Sequence, residues 1–148
     1  MNTTGCCDLI DPAVYDGKQF DWTGQAFIRT RIRSFFHMPL TFRSAIQRLM
    51  KQAELAHATV PKDQELWVTD ENSLWGADLY MRVSKPISGA DNANLPGTWR
   101  AKVFEGPFKN MRQWINAMQP YTRLLTFYTV CPKCAKHYGK NYVVLFAQ

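Results

Sequence analysis

The feature that most constrains the fold is a strand–proline–helix pattern that occurs twice in the chain. Residues 36–40 (Phe-His-Met-Pro-Leu) and 104–108 (Phe-Glu-Gly-Pro-Phe) each follow an alternating run and precede apolar residues at helical spacing. Proline interrupts strand pairing and is tolerated at the start of a helix. The repetition indicates two copies of one supersecondary unit, and the space between the copies is the first place to look for a site.

The apolar periodicity predicts the remaining elements. Helices are expected over residues 41–58 and 107–119, where apolar side chains recur at spacings of three and four. The strands that alternation predicts are 25–35, 65–69, 74–83, 98–104, 124–130 and 141–147, with 131–140 as a connection. Each half therefore reads β-α-β-β, which predicts an α+β fold with a curved antiparallel sheet, two main helices and a cleft on a pseudo-two-fold axis.

Domain organisation follows from the same pattern. Residues 1–24 read as an N-terminal arm, and 25–148 as one domain with half-repeats at about 25–85 and 97–148. A chain of 148 residues is long enough for one core.

Composition narrows the classes of function. The net charge is +6, but the lysines and arginines are scattered, and no nucleic-acid-binding motif accompanies them. Arg29, Arg31 and Arg33 share one strand face, as a basic rim or an interface. No apolar run is long enough to span a membrane and no signal peptide is evident, so a cytoplasmic location is expected.

The second copy of the repeat resembles a known family. The run Val103-Phe104-Glu105-Gly106-Pro107-Phe108, followed by Met111 and Trp114-Ile115, resembles the strand–Gly-Pro–aromatic–helix signature of GyrI-like effector-binding domains, and the resemblance covers roughly residues 25–148. Residues 71–80 and 140–145 also resemble a bacterial subgroup loosely called hydrolases.

The resemblance implies a ligand cleft along the pseudo-two-fold axis, with aromatic side chains that stack on amphipathic, often cationic, small molecules. It also implies a buried carboxylate in the cleft, and in some members the hydrolysis of strained small molecules. This chain departs from the pattern at Asn141, because many members have glutamate directly before the tyrosine of the final strand, here Tyr142. The carboxylate that the resemblance implies must then come from Glu105, Glu71 or Asp78.

The expected wall of the cleft is aromatic, since flat rings offer stacking and cation–π contacts. The expected ligand-binding residues are Trp75, Trp99, Phe104, Glu105, Phe108, Tyr128 and Tyr142. The alternative for each aromatic residue is plain core packing.

The candidate catalytic residues are Glu105, His37 and Tyr142. Glu105 and His37 hold equivalent places in the two repeats and approach one another if a two-fold axis relates the halves. A carboxylate and an imidazole together can polarise water. The alternatives are a solvated carboxylate near a helix start and a hydrogen-bonded histidine.

The candidate metal ligands are Cys131, Cys134, Cys6 and Cys7. The sequence Cys131-Pro-Lys-Cys134 has the spacing of a zinc knuckle, and His137 follows. Zinc or tethering of the arm ranks first, a reversible disulfide second and inert thiols third.

Three functions remain open at this stage. The first is a stand-alone protein that binds a small amphipathic molecule, without nucleic acid or membrane as partner and with a homodimer left open. The second is a small-molecule hydrolase that uses Glu105 with His37 or Tyr142. The third is a metal- or redox-responsive thiol protein.

Overall fold

A computed structural model of the chain describes residues 9–35, 38–39, 42–71, 75–130 and 132–148. Four predicted site residues, His37, Cys6, Cys7 and Cys131, lie outside the described residues. The elements in chain order are β1 (Gln19–Asp21), β2 (Phe27–Phe35), β3 (Met38–Pro39), α1 (Phe42–Leu55), β4 (Trp67–Asp70), β5 (Gly76–Arg82), β6 (Asn92–Ala93), β7 (Thr98–Glu105), α2 (Met111–Ala117), β8 (Leu124–Tyr128), α3 (Pro132–Tyr138) and β9 (Tyr142–Ala147). The α+β fold class is therefore confirmed.

The chain forms two compact units, one of residues 21–97 and one of residues 98–148 with the N-terminal segment through Phe20. In the first, β2 and β4 lie on either side of β5, and both pairings are antiparallel. In the second, β7 and β8 lie on either side of β9, again antiparallel. Each unit thus places its last long strand between the two strands that flank its main helix, α1 or α2, which confirms the predicted β-α-β-β repeat. In the second unit, α3 lies in the connection between β8 and β9.

Helix α1 covers one face of the sheet in unit 21–97. Ile28 and Ile32 of β2 are buried with Leu79 of β5 against Ala45 and Leu49 of the helix. The opposite direction of alternate strand residues explains why Ile28 and Ile32 share this core and the intervening arginines do not.

The arginines of β2 lie on the other face and pair within the same unit. Arg29 Nε donates to Asp91 at 2.9 Å, and Arg31 lies 3.3 Å from Asp78, its cross-strand neighbour. The hydrogen bond to Asp91 raises the pKa of Arg29 above its ordinary value. A Cβ at residue 76 would lie 2.7 Å from the Arg31 guanidinium, so a larger residue there would displace the end of the Arg31 side chain.

Helix α1 ends at Leu55, earlier than the predicted residue 58, because a Schellman turn closes it. The N–H of Ala58 donates to Ala53 at 2.8 Å and that of His57 donates to Glu54 at 3.2 Å. His57 has φ +52, the left-handed conformation that this turn requires and that glycine usually supplies.

Helix α2 is also shorter than predicted. Pro107 is extended, with ψ 150, and Phe108–Asn110 forms a 3₁₀ turn before the α-helix begins at Met111. The expected apolar face is present, since Trp114 and Met118 are buried against Val143 and Leu145 of β9.

Helix α3 was not predicted, and the interpretation of residues 131–140 as a plain connection is wrong. The helix has seven residues, too few to show an apolar period. Its signals are at its ends, where Pro132 is the first helical residue and Gly139 follows with φ +68.

The helices in the described part of the chain include none with the length and apolar character needed to cross a membrane.

Helix α1 offers a test of the packing, because it carries one buried and one exposed leucine. Leu49 is 1% exposed and Leu55 is 74% exposed. Leu49→Ala should lower the free energy of unfolding by about 2–5 kcal/mol through a cavity under the helix. Leu55→Ala should change it by less than about 0.5 kcal/mol. Chemical denaturation measures both, and equal effects would contradict the packing of α1.

Candidate functional site

The candidate site is an open depression of about 350 Å³ in the second unit, at the end of β7. The residues that line it come from the turn after β7, from α3 and from the approach to β9. They are Glu105, Gly106, Pro107, Ala135, Gly139, Lys140 and Asn141. A carboxylate and an ammonium group therefore border one depression.

Strand alternation decides which predicted site residues share a face with Glu105. Glu105 pairs directly with Tyr142, whereas Phe104 pairs with Val143, which also pairs with Tyr128. Directly opposed residues of an antiparallel pair point to the same side of the sheet. Glu105 and Tyr142 are thus on one side, and Phe104 and Tyr128 are on the side of α2.

The predicted aromatic wall is accordingly divided. Phe104 stacks on Trp114, with centroids 5.6 Å apart, and is part of the helix-side core. Phe108 is 37% exposed and meets the Tyr128 ring edge-on at 5.9 Å. Trp99 is fully buried. Trp99 and Phe104 therefore pack in the core, which is the alternative to a place in the ligand-binding wall.

The remaining predicted wall residues are Trp75 and Tyr142. Trp75 belongs to unit 21–97 and is 58% exposed, while Tyr142 is 9% exposed. The structure thus brings Glu105 and Tyr142 together on one face, and it leaves the ligand-binding roles of the whole set as predictions.

The N-terminal segment covers part of the sheet face that carries Glu105. Tyr15 packs edge-on against Phe127 and Phe146 at about 6 Å, and both rings lie on this face. The carboxylate of Asp16 then accepts from the N–H of Val103 at 3.0 Å. The N-terminal segment thus covers this face and is hydrogen-bonded to Val103, two positions before Glu105.

The turn that holds Glu105 is clamped by Asn141. The N–H of Gly106 donates to the main-chain oxygen of Asn141 at 3.1 Å, and Asn141 Nδ2 donates to the Gly106 carbonyl at 2.9 Å. Gly106 has φ +141, a conformation open to glycine and not to ordinary residues.

Asn141 carries a second unusual property. It is 8% exposed, and its Oδ1 is buried without a hydrogen-bond partner among the described residues. Such an acceptor costs about 1–3 kcal/mol. Asn141 therefore lies beside the depression with a buried oxygen whose lost hydration is not replaced by a hydrogen bond from the described residues.

The sequence reasoning missed Lys140 as a lining residue and treated Asn141 only as a missing carboxylate. The available signal was Gly139, which ends α3 and turns the next two residues toward the start of β9. That signal depends on recognising α3, which is too short for its pattern to show.

The thiol prediction rests mainly on residues outside the described part. Cys134 is a buried residue of α3, and His137 is exposed on the same helix. Among the described residues, no group of three or more histidine, cysteine or acidic side chains is placed to hold a metal ion. Because Cys6, Cys7 and Cys131 are not described, the zinc site stays a prediction.

The sequence is similar to a known protein family. The model of a family described as Bacterial hydrolase matches residues 1–148, the whole chain. No curated protein matches the sequence.

The backbone at Gly106 can be tested directly. Gly106→Ala should lower the free energy of unfolding by about 1–3 kcal/mol, because alanine is strained at φ +141. Gly139→Ala is the matched control, since φ +68 is a left-handed conformation that alanine reaches at a cost of about 1 kcal/mol. Urea unfolding compares the two, and a larger loss at Gly139 would contradict the geometry of the turn.

Proposed function

We propose that this chain, which belongs to the bacterial hydrolase family, hydrolyses a small molecule at the depression beside Glu105. The observation that carries the proposal is the position of Glu105. Its carboxylate is exposed at the rim of a depression, directly across the strand pair from the tyrosine of β9. The family match supports hydrolysis as the reaction class.

The proposed step is attack by water on an electrophilic carbon of the substrate. Glu105 accepts a proton from the water as its oxygen forms the new bond to carbon. The bond from that carbon to the leaving oxygen breaks, and the leaving oxygen takes up a proton to become an alcohol. For an ester the products are an acid and an alcohol, and no other reactant is consumed.

Two neighbours of Glu105 have complementary roles in this scheme. The Lys140 ammonium borders the same depression and stabilises negative charge that develops on the substrate oxygen. The Tyr142 hydroxyl, on the Glu105 face, donates a proton or hydrogen bond to the leaving oxygen. His37 stays a third candidate.

The substrate class proposed is a small amphipathic molecule with an activated ester or a strained ring. A volume of about 350 Å³ suits a small molecule better than a chain of a macromolecule. The same proposal includes a relationship to GyrI-like domains, a cytoplasmic location, and no nucleic acid or membrane as partner.

Glu105→Gln tests the role of the base. The amide keeps the shape of the side chain but does not accept the proton of water, so kcat should fall by about 10²–10⁴-fold. Hydrolysis of 4-nitrophenyl acetate and of styrene oxide, followed at saturating substrate, measures the loss. Glu54→Gln, an exposed glutamate on α1, is the matched control and should leave kcat unchanged. An unchanged kcat in Glu105→Gln, with the thermal midpoint also unchanged, would remove Glu105 from the mechanism.

A second candidate function is binding without turnover, and one observation favours it. The edge-on pair of Phe108 and Tyr128 leaves part of an aromatic surface exposed on the α2 side. Exposed rings of this kind suit a lipophilic cation, the ligand class that the resemblance to GyrI-like domains implies.

Thermal stability in the presence of tetraphenylphosphonium tests this second candidate. A saturating concentration should raise the melting temperature of the wild-type chain by about 5 °C. Phe108→Ala should abolish the rise, while Leu55→Ala, which removes an exposed apolar side chain of the other unit, should keep it. The absence of a shift in the wild type would exclude binding of this cation.

A further inference from the structure

We propose that Asn141 is a positioning residue that fixes the direction of the Glu105 carboxylate by clamping Gly106. The inference rests on the proposed function, because it concerns the base of that reaction. Neither the sequence pattern nor the family match assigns a role to Asn141, which lines the depression from the position just before β9, next to the strand partner of Glu105.

The clamp acts on both peptide planes next to Gly106. The Gly106 N–H belongs to the peptide that joins it to Glu105, and this N–H donates to the Asn141 main-chain oxygen at 3.1 Å. The Gly106 carbonyl belongs to the peptide that joins it to Pro107, and it accepts from Asn141 Nδ2 at 2.9 Å. One residue thus fixes the backbone on both sides of the glycine.

A clamp is needed because of the residues that the turn uses. Glycine has the widest conformational range of any residue, so Gly106 alone would let the end of β7 swing. Pro107 has no N–H with which to tie the turn to its surroundings. Glu105 is the last residue of β7, so strand pairing with Tyr142 holds its backbone on one side and the turn at Gly106 holds it on the other.

The environment of Asn141 supports a role beyond stability. Its side chain is more than nine-tenths buried, its Nδ2 is used on Gly106, and its Oδ1 has no partner among the described residues. A side chain selected only for packing would not keep a buried acceptor without a donor. The described contact that the side chain does make acts on the residue next to Glu105.

A double-mutant cycle tests whether Asn141 acts through Glu105. Asn141→Ala keeps the main-chain bond and removes only the bond from Nδ2. With 4-nitrophenyl acetate, we expect kcat to fall by about tenfold or more while KM stays within about twofold. In the Glu105→Gln background the same substitution should change the residual rate by less than about twofold, because the base it positions is already lost.

A measurement without substrate provides an independent arm. Hydrogen exchange at the Gly106 amide, observed by NMR, should speed up by about tenfold in Asn141→Ala as the turn loosens. Asn116→Ala, on the exposed side of α2, is the control and should leave this exchange rate unchanged. Asn141→Ser, which is too short to bridge to the carbonyl, replaces the alanine variant if that variant does not fold.

The outcomes separate the two proposals. An unchanged rate in Glu105→Gln overturns the base, and the exchange of Gly106 then still decides whether the clamp exists. Loss of activity in Glu105→Gln with unchanged kcat and unchanged Gly106 exchange in Asn141→Ala overturns the positioning role alone. An equal fall of the rate in both backgrounds assigns Asn141 a general structural role and also overturns the inference.

Discussion

The second unit depends on one constraint, which is that β9 is hydrogen-bonded on both edges and buried along its whole length. All residues of Tyr142–Ala147 are buried, with β7 on one side and β8 on the other. A strand of this kind needs an apolar cover on both of its faces. Helix α2 supplies one cover through Trp114 and Met118, and the N-terminal segment contributes to the other through Tyr15. Charged side chains become accessible where these covers end, at Glu105 of β7 and at Lys140 just before β9.

The two units repeat one topology but do not repeat its chemistry. In unit 21–97 the face opposite the helix carries arginines that pair with Asp78 and Asp91 of the same unit. In the second unit the corresponding face carries the rings of Phe127 and Phe146, on which Tyr15 packs. The Glu105–Tyr142 pair lies on the same face, beyond Val103. A duplicated backbone accepts this divergence because the face opposite the helix is not needed to hold the helix. The ion pairs of the first unit are exposed and contribute little to stability, which leaves that face open to further substitution.

The sequence allowed the strands and the two main helices to be predicted because their apolar residues follow periods that only one element type satisfies. Ile28 and Ile32 illustrate this, since strand alternation places them on one face, opposite to Arg29 and Arg31, and both are buried in the core. The aromatic wall illustrates the limit. Phe104 and Glu105 are adjacent in the sequence, and their opposite directions could have been inferred, but the choice of the face that carries a site depends on which elements cover each face. The packing of Tyr15 on Phe127 and Phe146 is a contact between distant parts of the chain, which local periodicity does not reveal. Helix α3 was missed because seven residues with capping signals alone leave no period to read.

The turn at Gly106 is the part of the fold that bears most directly on the proposed function. Two unusual features, the positive φ of Gly106 and the buried oxygen of Asn141, occur within one turn. Elsewhere in the described chain, positive φ values mostly occur at glycines in turns where a Cβ would meet nothing, which is the ordinary use of glycine. At Gly106 the unusual backbone is held by hydrogen bonds from one side chain and one main-chain group of the same residue. A glycine that its surroundings hold in one conformation also fixes the backbone of its neighbours, which suits a site that needs one side chain in one direction. The combination fits a carboxylate held in one direction better than an adaptable binding surface, and it therefore supports the proposed hydrolysis at Glu105 over the proposed binding at the exposed aromatic pair.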